Sequence, residues 1–176
     1  DCDETSVLPV QGGSQAFDLL LRALIDPGDA VLCESPTFLG AIQTMREYNA
    51  RLISMPTDGE GVIVEAAEEL IRKHHPKLMY VIPTFQNPTG ITLSLERRRA
   101  LAELAARYGV VLAEDDPYRD LRYSGTALPP IQSFDGEGWV VYMSSFSKYI
   151  APGMRLGAAA VKNPMLLRKM VIGKQS

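Results

Sequence analysis

One lysine in a hydroxyl-rich segment has neighbours suited to covalent chemistry beside a phosphate group. Lys148 is preceded by three serine hydroxyls, at Ser144, Ser145 and Ser147. Arg155 comes seven positions after the lysine, in a Pro-Gly loop. Hydroxyls and a guanidinium form a clamp for phosphate, and an amine beside such a clamp could bond to a cofactor that carries a carbonyl group. Most lysines in turns are only solvated charges, so the hypothesis depends on these neighbours.

A second candidate anion site is the Gly12-Gly13 pair, which stands directly before a predicted helix that begins at Ser14. Free N–H groups and the positive end of the helix dipole make such a helix start attractive to anions. An ordinary glycine turn with Ser14 as the N-cap explains the same residues. A dinucleotide site is a weaker alternative: Glu34 lies 21 positions after Gly13, but the G-x-G-x-x-G spacing is absent.

Four other positions carry modest signals, each with an ordinary structural explanation. Asp115 or Asp116 could cap a helix or form a turn. Asn87 stands in a good turn sequence, and Phe38 could belong to the core. Tyr118 could be a half-buried tyrosine with a bonded hydroxyl. Their significance depends on whether the fold brings them together.

The elements that must position these residues are short apolar runs alternating with amphipathic segments. The predicted strands are residues 30–34, 51–55, 78–83, 110–114, 139–144 and 156–161. The predicted helices are residues 14–25, 38–48, 64–74, 95–108 and 164–173. The strands are nearly continuous in Val, Ile and Leu, which is typical of strands covered on both faces. The pattern predicts an α/β domain with a mainly parallel sheet between helices.

One connection is too short for the helical crossover that joins two parallel strands. Only residues 145–155, with a Pro-Gly pair among them, separate the last two strands. A helical crossover needs more chain, so the strand at 156–161 is predicted to run antiparallel to the one before it. Lys148 and Arg155 would then lie at the same edge of the sheet.

The chemically distinctive segments each follow an apolar run. They are GGSQ after residues 7–10, then SPTF, QNPTG, EDDPY and SSFSK after successive strands. Ligands of parallel sheets bind outside the carboxyl ends of the strands. The five segments are therefore predicted to line one cleft.

This series of motifs resembles the pyridoxal-phosphate-dependent aminotransferases of fold type I, class I/II. Within that family it is most similar to the branch of 2-aminoadipate and kynurenine aminotransferases, which also contains the aminotransferase-like domains of MocR-type regulators. The resemblance covers essentially the whole chain, and QNPTG, EDDPY and SFSK together are highly specific. It implies pyridoxal 5'-phosphate as the cofactor.

The resemblance implies a role for five residues around the cofactor ring. Lys148 matches the lysine that bonds to the cofactor and later acts as a base. Asp115 matches the aspartate that pairs with the pyridine nitrogen, and it is counted with Lys148 and Tyr118 as catalytic. Asn87 and Tyr118 match the pair that binds the phenolic oxygen. Phe38 stands where an aromatic ring, often tyrosine, stacks on the cofactor.

The resemblance also implies a phosphate cup. Its members match positions at the first helix start and in the lysine loop: Ser14, Gln15, Ser145, Ser147 and Arg155. In this family the partner subunit usually completes the cup, so a homodimer is expected. The substrates implied are an amino acid and a 2-oxo acid, whose amino group is exchanged. A pyridoxal-phosphate lyase and a cofactor-binding effector domain of a GntR/MocR-type transcription regulator remain as alternatives.

Composition limits the other classes of function. The chain has 176 residues, 46% hydrophobic and 22% charged, as expected for one globular domain over residues 1–176. A net charge of −3 does not indicate the basic surface that binds nucleic acid. No apolar run approaches the roughly 20 residues that cross a bilayer. Cys2 and Cys33 suggest neither a disulfide nor a zinc site, and His74-His75 do not share a helix face, so no metal is expected. A cytoplasmic location fits this usage.

The chain is shorter than the members of the family that it resembles. Both ends interrupt what reads as a continuing fold, and no starting methionine is present. We expect a fragment that lacks the N-terminal arm and the small C-terminal domain. The arginine that binds the substrate carboxylate in this family would lie in the missing part.

Overall fold

The computed structural model describes residues 3–175. Its helices are α1 (Gly13–Leu24), α2 (Leu39–Glu47), α3 (Val64–His74), α4 (Leu95–Tyr108) and α5 (Pro164–Gln175). Its strands are β1 (Val7–Val10), β2 (Ala30–Glu34), β3 (Arg51–Met55), β4 (Thr57–Asp58), β5 (Gly61–Val62), β6 (Leu78–Val81), β7 (Val111–Asp115), β8 (Val140–Ser145) and β9 (Gly157–Val161). All five predicted helices and all six predicted strands are present, with ends displaced by at most a few residues.

Seven strands form one sheet in the order β1-β9-β8-β7-β6-β2-β3, and β4 and β5 form a separate hairpin. Strands β8, β7, β6, β2 and β3 are parallel to one another. Strand β9 is antiparallel to both of its neighbours, β8 and β1. The mainly parallel α/β fold predicted from the sequence is therefore confirmed.

The antiparallel direction of β9 is also confirmed, and its cause is the short connection after β8. Two single turns of 3-10 helix, Phe146–Lys148 and Pro152–Met154, fill that connection. They return the chain to the sheet edge from which it left. Ser145 at the end of β8 therefore pairs with Gly157 at the start of β9.

Strand β1 was not predicted. It has four residues, and Pro9, which lacks a backbone N–H, lies in its middle. Proline is tolerated in a sheet at an edge strand, and β1 is the edge strand beyond β9. Its pairing partner, Gly157 to Ala160, lies far along the chain, so the local sequence gave little signal.

The sheet separates two hydrophobic clusters. Strand β6 contributes to both, with Leu78 and Tyr80 facing the cluster of α1, α2 and α5, and Met79 and Val81 facing that of α3 and α4. All four β6 residues are fully buried. This two-sided burial explains the continuous apolar sequence and leaves the strand ends as the place for polar groups.

Gly157 allows two segments near the sheet edge to approach closely. A Cβ at this position would lie 2.7 Å from the carbonyl oxygen of Ser144 and 3.0 Å from the Cα of Gly12. We expect Gly157→Ala to lower the free energy of unfolding by about 1–3 kcal/mol, because backbone atoms would have to move. Chemical denaturation measures this, and Gly153→Ala is the control, since a Cβ there meets nothing within 4 Å. Equal stability of the two variants would contradict the close approach.

Candidate active site

A cavity of about 220 Å³ lies at the carboxyl ends of the parallel strands. It is lined by nine of the ten predicted site residues: Ser14, Phe38, Asn87, Asp115, Tyr118, Ser145, Ser147, Lys148 and Arg155. All five predicted motifs contribute to this set, and Arg155 adds a residue from the loop after the last motif. The fold thus brings together segments that are more than 140 residues apart in the sequence.

Gln15 is the predicted residue that does not line the cavity. Its side-chain Oε1 accepts a hydrogen bond from the backbone N–H of Gln11 at 2.7 Å. The side chain therefore braces the loop before α1. The backbone N–H of Gln15 still belongs to the first turn of α1, where N–H groups have no partner within the helix.

Asp115 lines the cavity and is held by a hydrogen bond from Tyr80, a residue that was not predicted from the sequence to belong to the site. The hydroxyl of Tyr80 donates to Asp115 Oδ2 at 2.6 Å, and Tyr80 is fully buried in β6. Burial raises the pKa of Asp115 to about 6, the Tyr80 hydrogen bond opposes this rise, and the charge of Asp116 adds to it. The only sequence signal for Tyr80 was a hydroxyl within a fully buried strand.

Asp116 is directed differently from Asp115. It does not line the cavity, and it is 1% exposed. Within residues 3–175 its carboxylate oxygens have no hydrogen-bond partner, and Arg119 Nη1 lies 3.8 Å from Oδ2. Of the two neighbouring aspartates, Asp115 is the one that can meet a ligand in the cavity.

The walls of the cavity carry an aromatic ring and an amide–phenol pair. Asn87 Nδ2 donates to the Tyr118 hydroxyl at 3.3 Å. Phe38 is 37% exposed and lines the cavity, so its ring is available to a ligand rather than buried in the core. The ring lies over Gly40, where a Cβ would come within 2.6 Å of two ring carbons. Any larger residue at position 40 would therefore displace the Phe38 ring.

The opposite end of the cavity is suited to an anion. Gly12 precedes α1 with φ 88°, and the N–H groups of the first helical turn point outward from Gly13. The guanidinium of Arg155 lies close enough that a Cβ on Gly12 would come within 3.2 Å of Nη2. The Ser147 hydroxyl is buried and has no hydrogen-bond partner within residues 3–175. A buried hydroxyl without a partner beside a guanidinium fits an oxygen-rich anion.

Lys148 lies at the rim between these groups. It ends the single 3-10 turn Phe146–Lys148 that follows β8, and its side chain lines the cavity. Arg155 lies at the same edge, as the antiparallel return of β9 requires. Lys148 therefore lines the same cavity as Arg155 and the half-buried Asp115.

These residues fit pyridoxal phosphate. Asp115 lines the cavity and Tyr80 binds its Oδ2, so its Oδ1 could meet a ring nitrogen. The phosphate would meet the helix start, the unpartnered Ser147 hydroxyl and Arg155. Phe38 would cover one face of the ring. The donor set at each end has the charge and hydrogen-bonding character that the corresponding part of the cofactor needs.

No group of three or more His, Cys, Asp or Glu side chains within residues 3–175 could hold a metal ion. None of the helices in the described range is long and apolar enough to cross a membrane.

Two buried glutamates and the half-buried Asp115 make the stability of the cofactor-free protein depend on pH. Burial is the main cause that raises the pKa of Glu34 and Glu114 to about 7 and that of Asp115 to about 6. Each group keeps its proton in the folded state at pH values where the unfolded chain has lost it. The contribution of these three groups to stability is therefore fully present below their unfolded pKa of about 4 and is lost as pH rises through the folded values.

We expect the thermal midpoint of the cofactor-free protein to fall as pH increases from about 4.5 to about 7. Differential scanning fluorimetry across this range measures the slope. Asp115→Asn should make the decline shallower, because its amide oxygen still accepts the Tyr80 hydrogen bond but no longer titrates. A midpoint that rises through this range in the wild-type protein would show that these groups are not buried as described.

Comparison with known proteins gives consistent similarities. The family model for aminotransferase class I and II matches residues 2–176. The aromatic-amino-acid aminotransferase 1 of Thermococcus litoralis is 42% identical over 98% of this chain and 42% of its own length. The α-aminoadipate aminotransferase of Thermus thermophilus, solved with N-(5'-phosphopyridoxyl)-L-leucine, is 38% identical with a TM-score of 0.92, over 97% of this chain and 44% of that one.

A regulator is similar as well. The HTH-type transcriptional regulator YisV of Bacillus subtilis is 31% identical over 98% of this chain and 36% of its own length. The chain thus spans about two fifths of the length of the curated relatives it matches. The match of the family model over nearly every residue, together with this level of identity, establishes that the chain belongs to the aminotransferase class I and II family.

Proposed function

We propose that this chain is the cofactor-binding part of a pyridoxal-phosphate-dependent aminotransferase that exchanges an amino group between an amino acid and a 2-oxo acid. The main support for the proposal is that three chemically different groups line one cavity. It combines the Lys148 amine, the half-buried carboxylate of Asp115 and an anion end at α1 and Arg155. The family membership of the chain supports the same activity.

Pyridoxal phosphate, when bound, supplies an aldehyde that bonds to amines and a protonated ring that withdraws electrons. Lys148 is the residue that holds the cofactor. When it is free, its Nζ would be the group that takes the proton from the substrate Cα and passes it to carbon C4′ of the cofactor. A base placed beside both carbons can serve for both transfers.

Asp115 controls the charge at the ring nitrogen. A carboxylate there favours the protonated nitrogen, because opposite charges at close range stabilise each other. Tyr80 occupies Oδ2, which leaves Oδ1 for the ring. Asn87 and Tyr118 would bind the phenolic oxygen, and their mutual hydrogen bond orients both groups.

The phosphate would be held by groups of two kinds. Backbone N–H groups at Ser14 and Gln15 belong to the start of α1 and meet the anion with the positive end of the helix dipole. Hydroxyls of Ser145 and Ser147 and the guanidinium of Arg155 add side-chain donors. Removal of Arg155 should therefore weaken cofactor binding more than catalysis by the saturated protein.

We infer further that the chain is part of a longer protein that forms a homodimer in the cytoplasm. Its relatives contain more than twice its length. Apolar side chains of Ile150, Met154 and Leu156 are 60%, 53% and 38% exposed near the cavity rim, which supports their burial against another surface. The N-terminal arm and a small C-terminal domain, which would carry the group that binds the substrate carboxylate, belong to the proposed remainder.

A regulatory role is the second candidate, and the similarity to an HTH-type regulator favours it. In that case the same cavity would bind the cofactor as part of an effector domain. A DNA-binding domain elsewhere in the full encoded protein and slow turnover would distinguish it from an enzyme.

The test is a transamination assay on the protein at its full encoded length. Loaded with pyridoxal phosphate, it is offered a panel of amino acids, including 2-aminoadipate, kynurenine and aromatic amino acids, with 2-oxoglutarate. We expect formation of glutamate with at least one donor. Stoichiometric cofactor binding without turnover of any donor would reject the enzyme and favour the effector domain.

A further inference from the structure

We propose that Gln86 is a positioning residue that fixes the distance between the two walls of the cavity, the one carrying Phe38 and the one carrying Asn87. The inference rests on the proposed function only for the identity of the ligand. Gln86 itself does not line the cavity. It acts through its hydrogen bonds to the two loops.

The Gln86 side chain uses all of its hydrogen-bonding capacity. Its Nε2 donates to the carbonyl oxygen of Pro36 at 2.8 Å and to Glu34 Oε2 at 3.4 Å. Its Oε1 accepts from the backbone N–H of Thr89 at 2.9 Å and from the Thr89 hydroxyl at 2.7 Å. An amide has two donors and an acceptor with two lone pairs, so both ends are satisfied. Glutamate has the same shape but no N–H donors, and in its ionised form it could not donate to Pro36.

These bonds join loops that are 50 residues apart in the sequence. Pro36 lies two positions before Phe38 in the loop after β2, and Gln86 directly precedes Asn87 in the loop after β6. Thr89 closes the turn that contains Asn87. We call this set of contacts, made by Gln86 with Glu34, Pro36 and Thr89, the Gln86 clamp.

Glu34 anchors the clamp to the sheet. The paired register of β2 and β6 ends at Cys33 and Tyr80. Beyond it, Glu34 Oε2 accepts the backbone N–H of Ile82 at 2.9 Å, so a side chain continues the strand pairing. Glu34 and Gln86 are 4% and 5% exposed. Buried hydrogen bonds of this kind hold geometry firmly, because a lost partner leaves a buried polar group without water.

The decisive experiment uses hydrogen–deuterium exchange on the cofactor-free protein at its full encoded length. We expect Gln86→Glu to raise exchange in residues 35–38 and 84–90 together. Gln132→Glu is the matched control: Gln132 is also buried and donates to Val140 and Ala160 carbonyls. Its replacement should instead loosen the ends of β8 and β9 that lie away from the cavity. Should Gln86→Glu not fold, Gln86→Met removes the polar atoms without adding charge.

A second readout concerns the bound cofactor. We expect Gln86→Glu to weaken pyridoxal phosphate binding by about tenfold or more and to reduce the visible circular dichroism of the bound cofactor, while Gln132→Glu leaves that signal unchanged per bound molecule. Exchange that rises only in residues 84–90, or an unchanged dichroism signal, would overturn the clamp. If the wild-type protein bound no pyridoxal phosphate, the proposed function would fail, and the exchange measurement would still decide the clamp.

Discussion

Replacement of Lys148 by alanine is expected to abolish the visible absorption of the bound cofactor and to reduce transamination by roughly 10⁴-fold or more. The reason is that one amine performs two tasks: it holds the cofactor and it transfers the proton. Lys148 lines the cavity between the anion end and Asp115. Absorption spectroscopy of the reconstituted protein and the glutamate-forming assay measure the two losses.

The fold should survive this change. Lys148 is exposed and ends a single 3-10 turn, so the thermal midpoint of the cofactor-free protein should stay close to that of wild type. Lys73→Ala, which removes an exposed lysine from α3, is the matched control and should keep both absorption and activity. Wild-type absorption and turnover in Lys148→Ala would refute the assignment.

Replacement of Asp115 by asparagine is expected to lower transamination by about 10²–10³-fold, the usual effect of removing one electrostatic group aimed at developing charge. Asparagine has the same shape, and its oxygen can still accept from Tyr80. It lacks the negative charge that keeps the ring nitrogen protonated. The loss should appear in kcat and in the spectrum of the bound cofactor rather than in the fold.

Two further variants separate the effect of the Asp115 charge on kcat from other effects of the substitution. Asp120→Asn removes an exposed carboxylate close in sequence and should leave kcat unchanged. Tyr80→Phe keeps the charge of Asp115 and removes the 2.6 Å hydrogen bond, so it should have a smaller effect than Asp115→Asn. An Asp115→Asn protein with wild-type kcat would mean that this carboxylate does not meet the ring.

The sequence predicted those features that depend on local pattern or on chain length. Continuous apolar runs identified β2, β6, β7 and β8, because both faces of these strands are covered. The direction of β9 followed from the few residues between it and β8. The position of the motifs at strand ends then predicted the shared cavity, since parallel strands end at one edge.

Features that depend on distant contacts were not predictable in this way. Strand β1 forms only because β9 offers it an edge. Tyr80 reads as an ordinary core residue until β7 places Asp115 against its hydroxyl. The Gln86 clamp joins loops whose spacing along the chain carries no periodic signal. Gln15 was assigned by resemblance, and its side chain makes a local contact with Gln11 instead of lining the cavity.

In the proposed enzyme, the Lys148 amine bonds to pyridoxal phosphate in this cavity. Borohydride reduction of the loaded protein, followed by peptide mass spectrometry, tests it most directly, because reduction makes the bond between lysine and cofactor permanent. We expect one phosphopyridoxyl group per chain, on the peptide that contains Lys148, and none when inorganic phosphate replaces the cofactor. Labelling of a different lysine, or no labelling of a protein that is otherwise folded, would contradict it.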